Sequence, residues 1–465
     1  MRSIGEKCAL FGIYGKGLDV SRLSFFGLYA LQHRGQESSG IASSDGKKIY
    51  CYKNTGLVSQ VFNEEKIKSL TGYIAIGHNR YSTSSGGGIE HAQPIEVSDE
   101  SMTLAHNGNL PSFNRLNNFL KKKGIILKNA SDSKIITEAI YTLVKDGMDI
   151  EKAIIEIFPL MTGAFSVLIM TKDKLIALRD QFGVRPLSIG RLNGGYVFAS
   201  ETCAMHPIGA IFERDVMPGE MVIIDELGLR SMQIVKGRQK LDIFEFVYFS
   251  RPDSNLLGKS IYDVRKKFGI ELAKEYDIKA DVVIPVPETA IPVAIGYANA
   301  TGIPFEMGLI KSRYIHRTFI EPEQHIRDQG VKLKLAPLRE VIDGKRVIVI
   351  DDSIVRGTTS RQIVKMLFDT GAKEVHFLIS SPPVRFPDFY GIDLPKQNDL
   401  LAFGKSIPEM NQYLGSTSLN FLSYKGMVKA TGLDESLFCT SCFTGKYPID
   451  LMEKLDEVSY IKNFE

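Results

Sequence analysis

The sequence predicts two units in series, an α+β first half and an α/β second half built on a mostly parallel sheet. Three observations carry this. Val347-Ile348-Val349-Ile350 is a run of β-branched apolar residues, read as a strand buried on both faces. It is followed by Asp351-Asp352, a small-residue turn through Ser360, and a helix in which Ile363, Val364, Leu367 and Phe368 share one face. From Ser260 onward helical and strand patterns alternate with short connections, whereas in the first half each polar block closes or follows an apolar strand.

Composition sets the bounds. A chain of 465 residues has room for two large domains or three smaller ones. With 44% hydrophobic and 24% charged residues it reads as a soluble globular protein with ample core. A net charge of +3 is too small at this length to imply nucleic acid, and no apolar run reaches membrane-span length. Met1 to Lys7 lacks the apolar core of a secretory signal. Cys8, Cys51, Cys203, Cys439 and Cys442 are few and odd in number, which fits a reducing cytoplasm and, for Cys51 and Cys203, buried thiols.

In the second half, Ile261, Val264, Phe268 and Leu272 share a helical face, and Asp281–Thr289 is a buried strand running into a loop. Ile291–Thr301 is a helix stopped by Gly302, and Pro304–Ile310 is a further strand. Glu374–Ile379 and Leu400–Phe403 continue the alternation. Lys311–Leu335 breaks it with many cations and no periodicity, as expected of a lid. A strand tip, a small-residue turn and a helix N-terminus form an anion cradle, since free N–H groups and the helix dipole point outward together. The paired acids beside it point to a metal ion, sugar hydroxyls, or both.

In the first half, Cys8–Gly15 reads as a strand led by a cysteine. Four polar blocks follow: Gln32-His33-Arg34-Gly35, Gly77-His78-Asn79-Arg80-Tyr81-Ser82-Thr83, His106-Asn107-Gly108-Asn109 and Ser131-Asp132-Ser133. Asn114–Lys123 and Lys134–Lys145 are amphipathic helices, and Gly163–Met170 pairs with Lys174–Leu178. Lys236–Lys240 is the linker, leading into Phe244–Ser254 between the two halves.

Cys8 and these blocks, in this order, resemble the class II glutamine amidotransferases of the N-terminal-nucleophile hydrolase superfamily. The resemblance implies a four-layer αββα sandwich with Cys8 as nucleophile and its own α-amino group as base. Seven residues precede Cys8, so Met1–Lys7 is expected to be a propeptide removed by self-cleavage. Asn107 and Gly108 would form the oxyanion hole. Arg80 would hold the glutamine α-carboxylate and Asp132 its α-ammonium, with Thr83, His106 and Arg34 in support. One departure stands out: relatives more often carry Pro-Asn where Gln181-Phe182 stands.

The string from Val347 to Ser360 resembles the phosphoribosyl-pyrophosphate (PRPP) signature of type I phosphoribosyltransferases. There Asp351 and Asp352 would contact ribose hydroxyls and one Mg²⁺ per subunit, with Thr289 near the metal. Val355, Arg356, Gly357, Thr358, Thr359 and Ser360 would hold the 5′-phosphate, Ser353 would also bind substrate, and Lys311 and the loop Pro287–Ala290 would face pyrophosphate.

Taken together the chain resembles the glutamine-dependent PRPP amidotransferases. Expected domains are 1–7 propeptide, 8–235 amidotransferase and 236–465 phosphoribosyltransferase with a C-terminal extension. The implied reaction makes 5-phosphoribosylamine, glutamate and pyrophosphate at the entry to purine synthesis, with ammonia kept off solvent under the Lys311–Leu335 lid. Purine nucleotides would inhibit, the assembly would be a homotetramer or homodimer in the cytoplasm, and neither nucleic acid nor membrane would be bound. Cys439-Thr440-Ser441-Cys442 resembles the end of members carrying a [4Fe–4S] cluster. The matching upstream positions are Asp242 and Asp388, and hard carboxylates replace thiolates poorly, so no cluster is expected. Two rivals are a PRPP-sensing regulator, opposed by the intact amidotransferase half, and an amidotransferase with another acceptor, opposed by the PRPP signature.

Overall fold

The computed structural model describes residues 8–81, 88–312, 334–392, 394 and 396–459. Met1–Lys7, Thr83 and most of Lys311–Leu335 therefore lie outside the described residues.

Two antiparallel sheets stack in the first half. One runs Ile211–Asp215, Ser188–Leu192, Gly195–Ala199, Ala9–Tyr14, Ile74–Arg80, Ser38–Ser44, Ile49–Thr55. The other runs Gly228–Gln233, Glu220–Asp225, Leu175–Arg179, Thr162–Thr171, Met102–Ser112, Ile95–Glu96. Every residue of Ala9–Tyr14 is buried because both of its faces are covered. Its period of two splits the burial. Leu10 and Tyr14 meet Ala105, Leu168 and Ala177 of the facing sheet. Ala9, Phe11 and Ile13 pack outward with Val20 and Leu28 of the helix Val20–Ala30. On the far side Leu104, Val167 and Ile169 pack with Ile135, Ile136 and Ile140 of the helix Asp132–Lys145. The result is the four-layer αββα sandwich.

The second half carries a parallel sheet in the order Val282–Pro285, Arg346–Asp351, Glu374–Ile379, Ser418–Phe421. Ile348 and Ile350 face one core with Phe268, Val293 and Tyr297, while Val347 and Val349 face another with Ile363 and Leu367. The helix Ile261–Glu275 starts where Ser260 Oγ accepts the Asp263 N–H, and Ile291–Thr301 ends at Gly302 in the left-handed conformation.

Four expectations need correction. Pro304–Ile310 is not one strand: Phe305 makes a lone parallel bridge to Val283, and Leu309–Lys311 turns away to pair with Leu335–Pro337. Leu400–Phe403 is a turn, not a strand, and its Leu401 N–H donates to the Val355 carbonyl in the turn that follows Asp351-Asp352. Phe368 lies 36% exposed, with Met366 taking the buried position instead. Cys51 is only half-buried, whereas Cys203 is buried as expected.

Helices Ile261–Glu275 and Ile291–Thr301 cross with their backbones in contact. A Cβ at Gly269 would overlap the Val293 carbonyl, and one at Gly296 would overlap the Lys266 carbonyl. Overpacking of this kind costs roughly 1–3 kcal/mol, so Gly269→Val should lower the melting temperature by several degrees, measured by differential scanning fluorimetry.

Candidate active sites

A cavity of about 260 Å³ opens at the start of Ala9–Tyr14 and is lined by Cys8, Arg80, Asn107, Gly108 and Asp132. Adjacent antiparallel strands bring these residues together: Ala9 pairs with Asn79, and Asn107 and Gly108 sit on the facing strand Met102–Ser112. Burial pushes the Cys8 thiol up, while a backbone hydrogen bond from Tyr81 and the charge of Arg80 pull it down, with burial prevailing. At neutral pH such a thiol keeps its proton, so nucleophilic use needs a base. Asn107 is buried, and its Nδ2 has no hydrogen-bond partner. An unpaired amide donor in a cavity beside a thiol is free to donate to a group that enters the cavity. Gly108 has φ +148, and a Cβ there would overlap the Ala164 carbonyl, so the position requires glycine.

Asp132 opens its helix. Its Oδ1 accepts from the Ser133 N–H at 2.7 Å and its Oδ2 lies 3.7 Å from His106 Nδ1. Burial pushes His106 below the ordinary imidazole range, which leaves it a neutral hydrogen-bonding strut to Ser133 Oγ at 3.1 Å. Gln93 completes this support by accepting the His106 N–H at 2.7 Å. Arg80 lies 3.6 Å from Glu37.

The second site sits at the carboxyl ends of Val282–Pro285 and Arg346–Asp351, which pair in parallel from Val282↔Val347 to Pro285↔Ile350. Asp351 Oδ1 accepts the Asp352 N–H at 2.9 Å, and Ser353 Oγ donates to Asp352 Oδ1 at 2.6 Å. Burial, together with its neighbour's charge, pushes Asp351 well above the usual carboxylate range. Burial pushes Asp352 up to about 6, against the Ser353 hydroxyl and the Arg265 charge. Two desolvated carboxylates of raised pKa are a poorly compensated anionic pair, and oxygen ligands of this kind fit a hard divalent cation. The chain then turns through Ile354, Val355 and Arg356 to Gly357, at φ +74, and starts the helix Thr358–Asp369, whose N-cap glycine has no side chain to cap it. Its first turn, Thr358, Thr359 and Ser360, thus presents backbone donors at the cradle. Arg356 lies 3.8 Å from Asp399. Thr289 sits in the loop after the neighbouring strand, and Lys311 lies 3.4 Å from Glu288.

A buried charge network runs from the Cys8 carbonyl toward the second site. Arg34 Nε donates to the Cys8 carbonyl at 3.4 Å, and its two terminal nitrogens reach Glu201 at 2.5 Å and Glu245 at 2.9 and 3.0 Å. Glu201 is held well below the usual range by His33 and Arg34, despite its burial. Glu245 opens a single π-helical turn, Glu245–Phe249, whose Phe246 carbonyl accepts from Arg265, the residue whose charge reaches Asp352. Arg185 lies 3.7 Å from Glu245, 3.3 Å from Asp242 and 3.8 Å from Asp388. Burial pushes Asp242 up to about 6 and Asp388 up to about 7. Gln93 and Arg265 carried no local motif; Glu37, Arg185, Glu201 and Glu245 stand in segments the resemblance covers, Glu245 in Phe244–Ser254, but nothing local marked their partners. Their partners lie as far as 211 positions away in sequence.

Comparison with known proteins defines the class first. Residues 78–207 match a glutamine amidotransferase domain family, and residues 257–381 a phosphoribosyl transferase domain family. The chain is 47% identical to the amidophosphoribosyltransferase of Synechococcus elongatus over 97% of this chain and 93% of that one. It is 44% identical to that of Bacillus subtilis, over 97% and 96% respectively. Among solved structures, the B. subtilis PRPP amidotransferase complexed with ADP and GMP superposes with a TM-score of 0.89 at 44% identity, covering 96% of this chain and 98% of that one. The chain belongs to the amidophosphoribosyltransferase family.

Asp388 carries a consequence for pH. Its raised pKa means that the folded state keeps a proton that the unfolded chain loses first, so folding stability falls as pH rises from about 4 toward about 7. Asp388→Asn removes that penalty. Its melting temperature relative to the parent should rise between pH 5 and 8 and the difference should vanish below pH 4, measured by thermal melts across pH.

Proposed function

We propose that Cys8 is the nucleophile by which this glutamine-dependent amidophosphoribosyltransferase of purine biosynthesis releases ammonia, and that Asp351 and Asp352 organise its acceptor. The observation that carries the reading is the single cavity holding a thiol, an unpaired amide donor, a guanidinium and a carboxylate. Arg80 would clamp the glutamine α-carboxylate and Asp132 the α-ammonium. The Cys8 sulfur attacks the amide carbon as the carbonyl π pair moves to oxygen, where Asn107 Nδ2 and the Gly108 N–H receive it. Collapse breaks the C–N bond and expels ammonia, with the proton supplied by the base that took it from the thiol. Water then cleaves the thioester to glutamate and regenerates the thiol.

The raised thiol supports an α-amino base, because that group titrates near neutrality when free. Met1–Lys7 would then be removed, leaving an amidotransferase domain of 8–235 and a phosphoribosyltransferase domain of 236–465. At the second site, Asp351 and Asp352, with Thr289, would hold Mg²⁺, which offsets charge on PRPP and its departing pyrophosphate. Val355 to Ser360 would cradle the 5′-phosphate, with Ser353 beside the ribose and Lys311 toward pyrophosphate. Ammonia displaces pyrophosphate at the ribose anomeric carbon.

The residues matching cluster-ligand positions do not suit a [4Fe–4S] group. Asp242 accepts from the Phe244 N–H and faces Arg185, and Asp388 accepts from the Tyr390 and Ile392 N–H groups. These hard oxygens are committed beside a buried guanidinium. The B. subtilis complex with ADP and GMP supports purine nucleotides as inhibitors here. A cytoplasmic homotetramer or homodimer remains the expected assembly. Among the described residues no helix is long and apolar enough to cross a membrane.

Cys8→Ala should abolish glutamine-dependent synthesis by at least about 10³-fold yet retain ammonia-dependent synthesis from PRPP, whereas Asp351→Asn/Asp352→Asn should remove both. Normal glutamine use by Cys8→Ala would defeat the nucleophile assignment. Intact mass of the active enzyme should begin at Cys8; an active species beginning at Met1 would defeat the propeptide.

A further inference from the structure

We propose that the second half supplies a wall and a brace to the glutamine site, with Gly391 positioning the oxyanion donor Gly108. The inference rests on the assignment of Cys8, Asn107 and Gly108 made above. Gly391 lines the same cavity as Cys8, although it lies in the segment that follows the parallel-sheet strand Glu374–Ile379. Its φ of +110 is a conformation that favours glycine, and a Cβ there would fall 3.2, 3.3 and 3.4 Å from the Gly108 carbonyl carbon, Cα and oxygen. The two backbones therefore touch with no side chain between them.

The brace is anchored on both sides. Asn109, the residue after Gly108, donates from Nδ2 to the Phe389 carbonyl at 2.8 Å. Arg185 donates to the Tyr390 carbonyl from Nε at 2.8 Å and Nη2 at 2.6 Å. The Asp388 carboxylate accepts the Tyr390 and Ile392 N–H groups, each at 2.8 Å, and the Tyr390 hydroxyl donates to the Ile449 carbonyl at 2.7 Å. Around these bonds Phe389, Tyr390, Ile449 and Leu451 pack with Ala164 and Val184 of the first half. This support falls where the strand needs it. Pairing between Met102–Ser112 and Thr162–Thr171 shifts register after Asn109, so the ladder stops constraining the chain just past the oxyanion donor.

An oxyanion donor acts on the transition state, so misplacing it lowers kcat and leaves substrate binding nearly unchanged. Gly391→Ala pushes on Gly108 directly, and Asn109→Ala removes one tie without adding bulk. Both should lower kcat for glutamine about 10- to 100-fold, below the loss expected for deleting a donor outright. The KM for glutamine should stay within about threefold, and ammonia-dependent synthesis and alkylation of Cys8 by iodoacetamide within about twofold. Unchanged kcat, an effect confined to KM, or a parallel loss of ammonia-dependent synthesis would overturn the proposal. If Gly391→Ala does not fold, Asn109→Ala decides by the same criteria. Cys8→Ala run alongside separates the failures: if it still uses glutamine, the site assignment falls. If it does not, a normal Gly391→Ala enzyme removes only the brace.

Discussion

Glu245 accepts two hydrogen bonds from Arg34 and faces Arg185, all three with essentially no solvent access. The two halves cannot be separated without exposing or orphaning these charges. Asp242 and Asp388 lie beside the same Arg185, and burial, with the negative charge of their acidic neighbours, pushes them up to about 6 and about 7. Such a network adds little net stability, since desolvation offsets its Coulombic gain, but removing one partner of its close ion pairs, Arg34 with Glu201 and Glu245, costs about 3–5 kcal/mol. Its contribution is to fix geometry. One end holds the Cys8 carbonyl, and the other, through Phe246 and Arg265, reaches Asp352.

The elements that present chemistry were the most legible in sequence. The strand Val347–Ile350, the acids at its tip and the glycine that opens the following helix are contiguous, so local pattern and local structure coincide. Arg80, Asn107, Gly108 and Asp132 were each marked by a short polar block and Cys8 by its place at the head of a strand, and the sandwich brings all five to one cavity. The misread pieces have a shared cause. Pro304–Ile310 and Leu400–Phe403 are apolar enough for strands, yet the edge neighbour of Glu374–Ile379 is Ser418–Phe421. Their apolar side chains serve other contacts, and periodicity cannot tell a strand from a packed turn over four residues. The pairing of Gly391 with Gly108 left no signal and that of Arg34 with Glu245 only the placement of each segment, because the partners lie hundreds of positions apart.

Ammonia released into water at neutral pH becomes mostly ammonium, which is no nucleophile, so a chain that carries both sites gains by passing ammonia between them off solvent. The most direct test supplies amide-¹⁵N glutamine and PRPP together with excess unlabelled ammonium at neutral pH, and measures ¹⁵N in the phosphoribosylamine formed. Transfer between the two sites off solvent predicts product enriched nearly to the level of the glutamine. Product that instead carries the isotopic composition of the bulk ammonium would contradict the account.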